Sequence, residues 1–283
     1  ATFYDELIPL AKEKGVCFRC TAAVGGGIGW LSELERARRS QSIQKVGGIM
    51  NGTCNYILDS MTRLGMGYDE ALSQAQALGY AEANPSTDVD GIDTWHKLIL
   101  SSNIGFGISL VPETVPAAGI RNITAEDVKN FADHGYVCKL VSTGIMENGN
   151  LNAFVQPTLF DNGAPEAAVP TNYNLITLVG SASGRMSFYG QGAGRYPTAY
   201  NVVQDCADLL AGRGFYSPYG GKVSAVNSVE RRFYVRGDKD PWLQENTQEC
   251  WNGAVVTKPV SINAMHQWLK AHTGAFIAAL PVE

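Results

Sequence analysis

Residues 47–100 read GGIMNGTCNYILDSMTRLGMGYDEALSQAQALGYAEANPSTDVDGIDTWHKLIL. The run opens on a turn at 46–50. A helix to about Leu64 follows, which Asn51 or Thr53 could cap, since a short polar side chain satisfies the first free N–H groups. Residues 69–78 predict a second helix, with Ala71, Leu72, Ala75 and Leu78 on one face and Gly79 as its stop. A polar loop over 80–90 then leads into a helix from about Ile92 to Asn103. Five acidic residues (Glu70, Glu82, Asp88, Asp90 and Asp93) surround one cation, Lys97. On a helix Asp93 and Lys97 are i and i+4 and share a face. On spacing alone this is an ordinary ion pair near a helix start. The calcium-loop ligand ladder is not matched.

Outward from this block, residues 1–14 predict an amphipathic helix on Phe3, Leu7, Leu10 and Ala11, stopped by Gly15. Residues 16–24 (VCFRCTAAV) predict a buried strand, followed by glycines at 25, 26, 27 and 29 and a helix from Leu31 to Arg39. Further strands are expected at Tyr136–Val141, Leu151–Pro157 and Asn174–Val179. Residues 186–194 (MSFYGQGAG) close a strand on a second glycine turn (Gly190, Gly192, Gly194), with Pro197 at the start of a helix to about Leu210. After a glycine- and serine-rich connector (213–229) come strands at Arg231–Arg236 and Gly253–Thr257, a helix at Ile262–His272 and a last apolar run. The fold class is α/β or α+β.

Neither glycine loop completes a dinucleotide fingerprint. With Gly25 and Gly27 as its first two glycines, the third position is Trp30. The second loop precedes a helix whose N-terminus favours an anion. Cys17 and Cys20 have metal-site spacing without a second pair, and in a strand they point to opposite faces. The six cysteines are expected to be buried free thiols in a reducing cytoplasm. None of the four histidines has an evident partner, and His96 is expected to be partly exposed.

The 283 residues carry 22 Lys and Arg against 27 Asp and Glu, net −5, with no basic run. That argues against a nucleic-acid or anionic-membrane partner. No apolar stretch reaches the ~18 residues of a membrane span, and residues 1–14 lack the basic and apolar regions expected of a signal peptide.

The 47–61 and 68–100 segments together, with GYVCKL at 135–140 and GAGRYPTA at 192–199, resemble the catalytic domain of the homoserine dehydrogenases over roughly residues 1–210. The resemblance implies an α/β architecture: an α+β catalytic domain whose β-sheet is covered by helices, with remnants of a Rossmann-type domain. Residues 1–15 would be the last helix of a nucleotide-binding domain. Residues 16–190 would be the catalytic and dimerisation domain, and 191–212 a helix returning to the nucleotide-binding domain. The tail, 213–283, faintly resembles the start of a ligand-sensing ACT module through YVRGDKDPWLQE at 234–245, with too few strands to complete one. A strand, helix and strand covering the core is the other reading.

The same resemblance implies the chemistry: NAD(P)-dependent interconversion of aspartate semialdehyde and homoserine, in threonine and methionine biosynthesis in the cytoplasm. Lys97 would donate the proton, beside Asp93. Glu82 and Asp93 would bind the amino-acid substrate, with Tyr80, Thr53 and Asp88 lining the pocket. Gly79 and Gly194 would approach the NAD or NADP nicotinamide. Backbone carbonyls at Val24, Gly26 and Ile28 match a monovalent-cation (Na+) loop. A homodimer is implied, pairing strands across subunits. The chemistry suits these residue types: an ammonium group needs carboxylates, and a carbonyl accepting hydride needs a cationic donor.

Three positions depart from the family pattern. Thr21 stands for Glu and Gly29 for Pro in the cation loop, and Asn84 for Asp near the pocket. The nucleotide-binding domain and its lysine would lie ahead of Ala1, so this stretch alone is not expected to turn over. The alternative is a non-catalytic relative that binds an amino acid or serves as a dimerisation module.

Overall fold

A computed structural model describes residues 1–216 and 220–281. Its centre is a nine-stranded mixed sheet. The helices are α1 (Tyr4–Glu13), α2 (Trp30–Arg38), α3 (Gly52–Leu64), α4 (Tyr68–Ala77), α5 (Ser86–Val89), α6 (Ile92–Phe106), α7 (Ala125–Asp133), α8 (Arg195–Leu210), α9 (Pro241–Glu245) and α10 (Ile262–Ala271). The sheet strands are β1 (Ile43–Ile49), β2 (Tyr136–Glu147), β3 (Asn150–Asp161), β4 (Tyr173–Gly180), β5 (Gly184–Gln191), β6 (Phe233–Arg236), β7 (Thr247–Trp251), β8 (Ala254–Thr257) and β9 (Phe276–Ala279). Their order is β7-β8-β6-β9-β3-β2-β1-β4-β5. This is the expected helix-covered sheet of the α/β class.

β1 is where the sequence reading fails most. Gly47 and Gly48 were expected in a turn, yet they lie in a strand that pairs antiparallel with β2 on one side and β4 on the other. A Cβ on Gly47 would sit 2.1 Å from the Ser142 carbonyl oxygen, and one on Gly48 2.3 Å from that of Leu175. Glycine here permits close backbone approach on both sides, which is its strand-interior use. β2 and β3, twelve residues each, form a hairpin closed by Asn148 and Gly149, both with positive φ, the chemistry a two-residue turn demands.

Residues 16–24 form no strand. Thr21–Ala23 is a short 3-10 turn, Cys17 is exposed, and the Phe18 N–H donates to the Gly214 carbonyl of a loop. The segment is held by side chains instead: the Thr21 amide and hydroxyl donate to Asp205 of α8, and the Arg19 guanidinium, almost fully buried, pairs with Glu35, Asp205 and Asp208. Of the six free cysteines only Cys54 and Cys138 are buried; Cys17, Cys206 and Cys250 are exposed.

One face of the central strands carries α2, α3 and α6 over a large apolar core, with Trp30, Leu34, Ile57, Leu98 and Ile104 buried. The opposite face is part-covered by the 162–172 loop, where Val169 packs on Ile49, Val141 and Leu175. β3, β4 and β5 each pair with a neighbouring strand of the same chain. The outer edges of the sheet are β5 and β7.

The tail is also more complete than its sequence suggested. β6, α9, β7, β8, α10 and β9 run β-α-β-β-α-β, with strand order β7-β8-β6-β9 and antiparallel neighbours. This is a whole ferredoxin-like unit. β7, polar and short, was the missing strand. β9 also meets β3 in parallel, Ala279 opposite Thr158, so the unit extends the main sheet. Among the described residues no helix is long and apolar enough to cross a membrane.

Candidate functional site

The site forms where β1 runs into α3. Asn51 caps α3: its Oδ1 accepts the Cys54 N–H at 2.8 Å. Its Nδ2 donates to two carboxylates, Asp88 Oδ1 at 2.7 Å and Asp93 Oδ2 at 2.8 Å. One neutral side chain thus ties a helix start to both acids. The acids reach it because Gly91, at φ +81°, turns the chain sharply between α5 and α6, a conformation glycine adopts without strain.

One helical turn on, Lys97 Nζ lies 2.7 Å from Asp93 Oδ2, the i,i+4 pair read from the sequence. It also donates to the Met50 carbonyl oxygen at 2.9 Å. An ammonium has three N–H donors. Two are committed to Asp93 and Met50, which leaves one for a ligand. Burial pushes the Asp88 carboxyl above its ordinary value. Asp93 adds to that rise, while the Asn51 donor and Lys97 oppose it.

These groups open on a cavity of about 600 Å³. All eight residues expected at the substrate and cofactor site line it: Thr53, Gly79, Tyr80, Glu82, Asp88, Asp93, Lys97 and Gly194. Thr53 Oγ1 donates to the Tyr80 carbonyl at 2.6 Å, and the Tyr80 ring meets that of Tyr56 edge-on, with centroids 5.2 Å apart. Glu82 is exposed at the mouth. Gly79 has φ +75° with open space where a Cβ would stand, and Gly194 precedes the first turn of α8 with no side-chain cap.

Other residues singled out from the sequence lie elsewhere. Glu70 and Asp90 do not line this cavity, and Asp90 pairs with Arg121 at 2.7 Å. The first glycine turn lies behind the second: a Cβ on Gly26 would be 2.5 Å from the Gly192 carbonyl oxygen. Val24, Gly26 and Ile28 therefore stand apart from the cavity, and the Gly26 carbonyl already accepts the Asn201 side-chain N–H. His266, assigned no partner from sequence, is buried against Gln156, Nε2 to Oε1 2.9 Å. Among the described residues no group of three or more His, Cys, Asp or Glu side chains is placed to hold a metal ion.

The sequence reading took Asn51 as a helix cap only and missed its donor half, the Met50 carbonyl, and the cavity-lining Thr87 and Asn172. A cap three residues before a buried Cys gives no sign that its amide nitrogen faces acids far along the chain. Asn84 serves the loop, with Oδ1 accepting the Ser86 N–H at 3.2 Å.

Comparison with known proteins bears on the same block. The homoserine dehydrogenase family model matches residues 30–207. The homoserine dehydrogenase of Bacillus subtilis is 40% identical over 244 residues, covering 83% of this chain and 56% of that protein. A homoserine dehydrogenase structure from Thiobacillus denitrificans superposes with a TM-score of 0.83 at 29% identity, over 99% of this chain and 73% of that one. A hyperthermophilic archaeal homoserine dehydrogenase in complex with NADPH gives a TM-score of 0.62 at 25% identity, over 74% of this chain and 60% of that one. The chain spans about half the length of the curated relatives it matches. With the family model covering more than half its residues, and that match including the whole Asn51–Asp93–Lys97 cluster, this chain belongs to the homoserine dehydrogenase family.

Proposed function

We propose that this chain carries the catalytic site of an NAD(P)-dependent homoserine dehydrogenase, interconverting L-aspartate 4-semialdehyde and L-homoserine. The observation that carries the reading is Lys97, clamped by Asp93 and the Met50 carbonyl with one N–H to spare at a cavity rich in carboxylates. In reduction that N–H faces the aldehyde oxygen, and Lys97 gives it a proton as negative charge builds there. Glu82, Asp88 and Asp93 supply negative charge for the substrate ammonium, and Thr53 with Tyr80 shapes the wall. The bound nicotinamide supplies or takes the hydride. Gly79 and Gly194 suit its approach, because both present bare backbone to the cavity beside Lys97.

Residues 1–15 and 191–212 fit the parts of a nucleotide-binding domain, 16–190 the catalytic domain and 213–283 an ACT-like extension. The rest of the cofactor site would come from residues outside this stretch. A cation at Val24, Gly26 and Ile28 would have to share or displace the Asn201 contact on Gly26. A rise in melting temperature with NaCl beyond that with choline chloride tests for it. A homodimer in the cytoplasm completes the reading, and sedimentation at micromolar concentration reports its assembly.

The decisive experiment follows nicotinamide absorbance in the full-length protein with homoserine. Lys97→Met should lower kcat by about two to four orders of magnitude, the range of general acid–base catalysis, with the fold intact. Turnover near wild type removes Lys97 from the mechanism. Homoserine binding without turnover by the full-length protein would instead support the amino-acid-binding alternative.

A further inference from the structure

Asn174 stands on β4 with its side chain fully buried, and it is not a cavity-lining residue. Its Nδ2 donates to the Met50 carbonyl oxygen at 3.0 Å, the same oxygen that accepts from Lys97. Its Oδ1 has no hydrogen-bond partner in the structure. Gly192, which does line the cavity, packs directly on this amide: a Cβ there would fall 2.0 Å from Nδ2 and 2.5 Å from Oδ1.

A carbonyl oxygen offers two lone pairs. With Asn174 on one, the other is fixed in direction, and Lys97 occupies it. A buried amide oxygen without a partner is a cost that an apolar side chain of equal size would avoid. The position is therefore set by the donor half of the amide, which acts on Met50. The Asn174 bond to Met50 does not pass through Asp93, so it constrains the ammonium by a second route beside the Asp93 ion pair.

We propose that Asn174 is a positioning residue: it fixes the Met50 carbonyl so that Lys97 keeps one N–H directed at the cavity, and it seats the 192–194 turn on the same amide. The inference deepens the proposed function and rests on it for the role of Lys97. Asn174→Leu removes the donor at similar size. Asn174→Asp keeps the shape, faces the carbonyl with a carboxylate at high pH, and regains an O–H donor when protonated.

In the present chain, labelled with ¹⁵N-lysine, the Lys97 ammonium resonance is assigned by its loss in Lys97→Met. Its hydrogen exchange should accelerate several-fold in Asn174→Leu. In Asn174→Asp it should accelerate at high pH and return toward wild type as pH falls. In the full-length protein both variants should lower kcat about 10- to 100-fold, the scale of a small misplacement, with little change in the homoserine KM. The Asp variant should regain activity toward acid relative to wild type. A merely structural role predicts the same loss at every pH. Folded variants with unchanged ammonium exchange and kcat would overturn the proposal. If Asn174→Leu does not fold, the pH dependence of the Asp variant decides alone. If wild-type full-length protein shows no turnover, the functional reading fails while the exchange measurement still judges the positioning.

Discussion

Asn51→Asp isolates the electrostatics of the site from its architecture. The cap survives, because the carboxylate can still accept the Cys54 N–H, and a negative charge at a helix start is favourable. The donor half does not survive. Two charge-assisted bonds, at 2.7 and 2.8 Å to Asp88 and Asp93, are replaced by contacts between carboxylates. Hydrogen bonds to charged groups contribute about 1.5–3 kcal/mol each, so their loss alone costs about 3–6 kcal/mol at pH 8. Three carboxylates at such range cannot all stay ionised, and the cluster takes up a proton. Its folded-state pKa is then raised above the unfolded value of about 3.9. Stability from that proton is complete below the unfolded value and is lost as pH rises through the raised one. Urea unfolding of Asn51→Asp and wild type at pH 5 and pH 8 measures the difference. The penalty should be several kcal/mol at pH 8 and clearly smaller at pH 5. An equal penalty at both, or one below about 1 kcal/mol at pH 8, would refute the view of Asn51 as a neutral bridge between two anions.

Two further substitutions probe buried titratable groups. Lys139 is fully buried, with Nζ donating to Asn55 Oδ1 at 2.9 Å and to the Val169 carbonyl at 2.8 Å, so Lys139→Met should cost about 2–5 kcal/mol through the unpaired acceptors it leaves. Deuterium exchange should quicken at Thr171, whose N–H is held by the neighbouring Asp59. Burial brings the Lys139 amine down to about 8, so wild-type stability should rise with pH from about 8 toward the ordinary lysine value, and that rise should vanish in the variant. Burial, aided by Lys270, likewise lowers His266 to about 4. The native state excludes the charged form, so wild type loses up to about 3 kcal/mol as pH falls from 6.5 to 4. His266→Gln should flatten that limb of an acid titration followed by circular dichroism, and an unchanged limb would acquit His266.

What could be read from the sequence was local. α3, α4 and α6 follow from periodicity and glycine stops, and the Asp93–Lys97 pair from helical spacing. The pocket roles of Thr53, Tyr80 and Glu82 came from family resemblance, because no spacing rule places them near a lysine 44, 17 and 15 positions later. β1 was lost because two adjacent glycines signal a turn, and only the crowding strands on either side show why they are in a sheet. Residues 16–24 have strand composition, yet a strand also needs a neighbour. Asn51, Met50 and Asn174 were beyond reach for a different reason. Their importance lies in which half of an amide, or which carbonyl, points at which distant group.

The tail also acts as a lid on a raw edge. β3 presents its outer side to short partners alone: the 116–118 segment at Val155, the 226–229 segment at Leu151 and Ala153, and β9 at Thr158. The Asp127 carboxylate of α7, accepting from Tyr234 and Arg236 of β6, rivets the tail beside it. A chain shortened to end after α8 would keep every residue of the Lys97 cavity. It would also bare open backbone along β3 and the apolar flank of Val128 and Phe131, a ready template for sticking to its own kind. The tail keeps a long hairpin from becoming an adhesive.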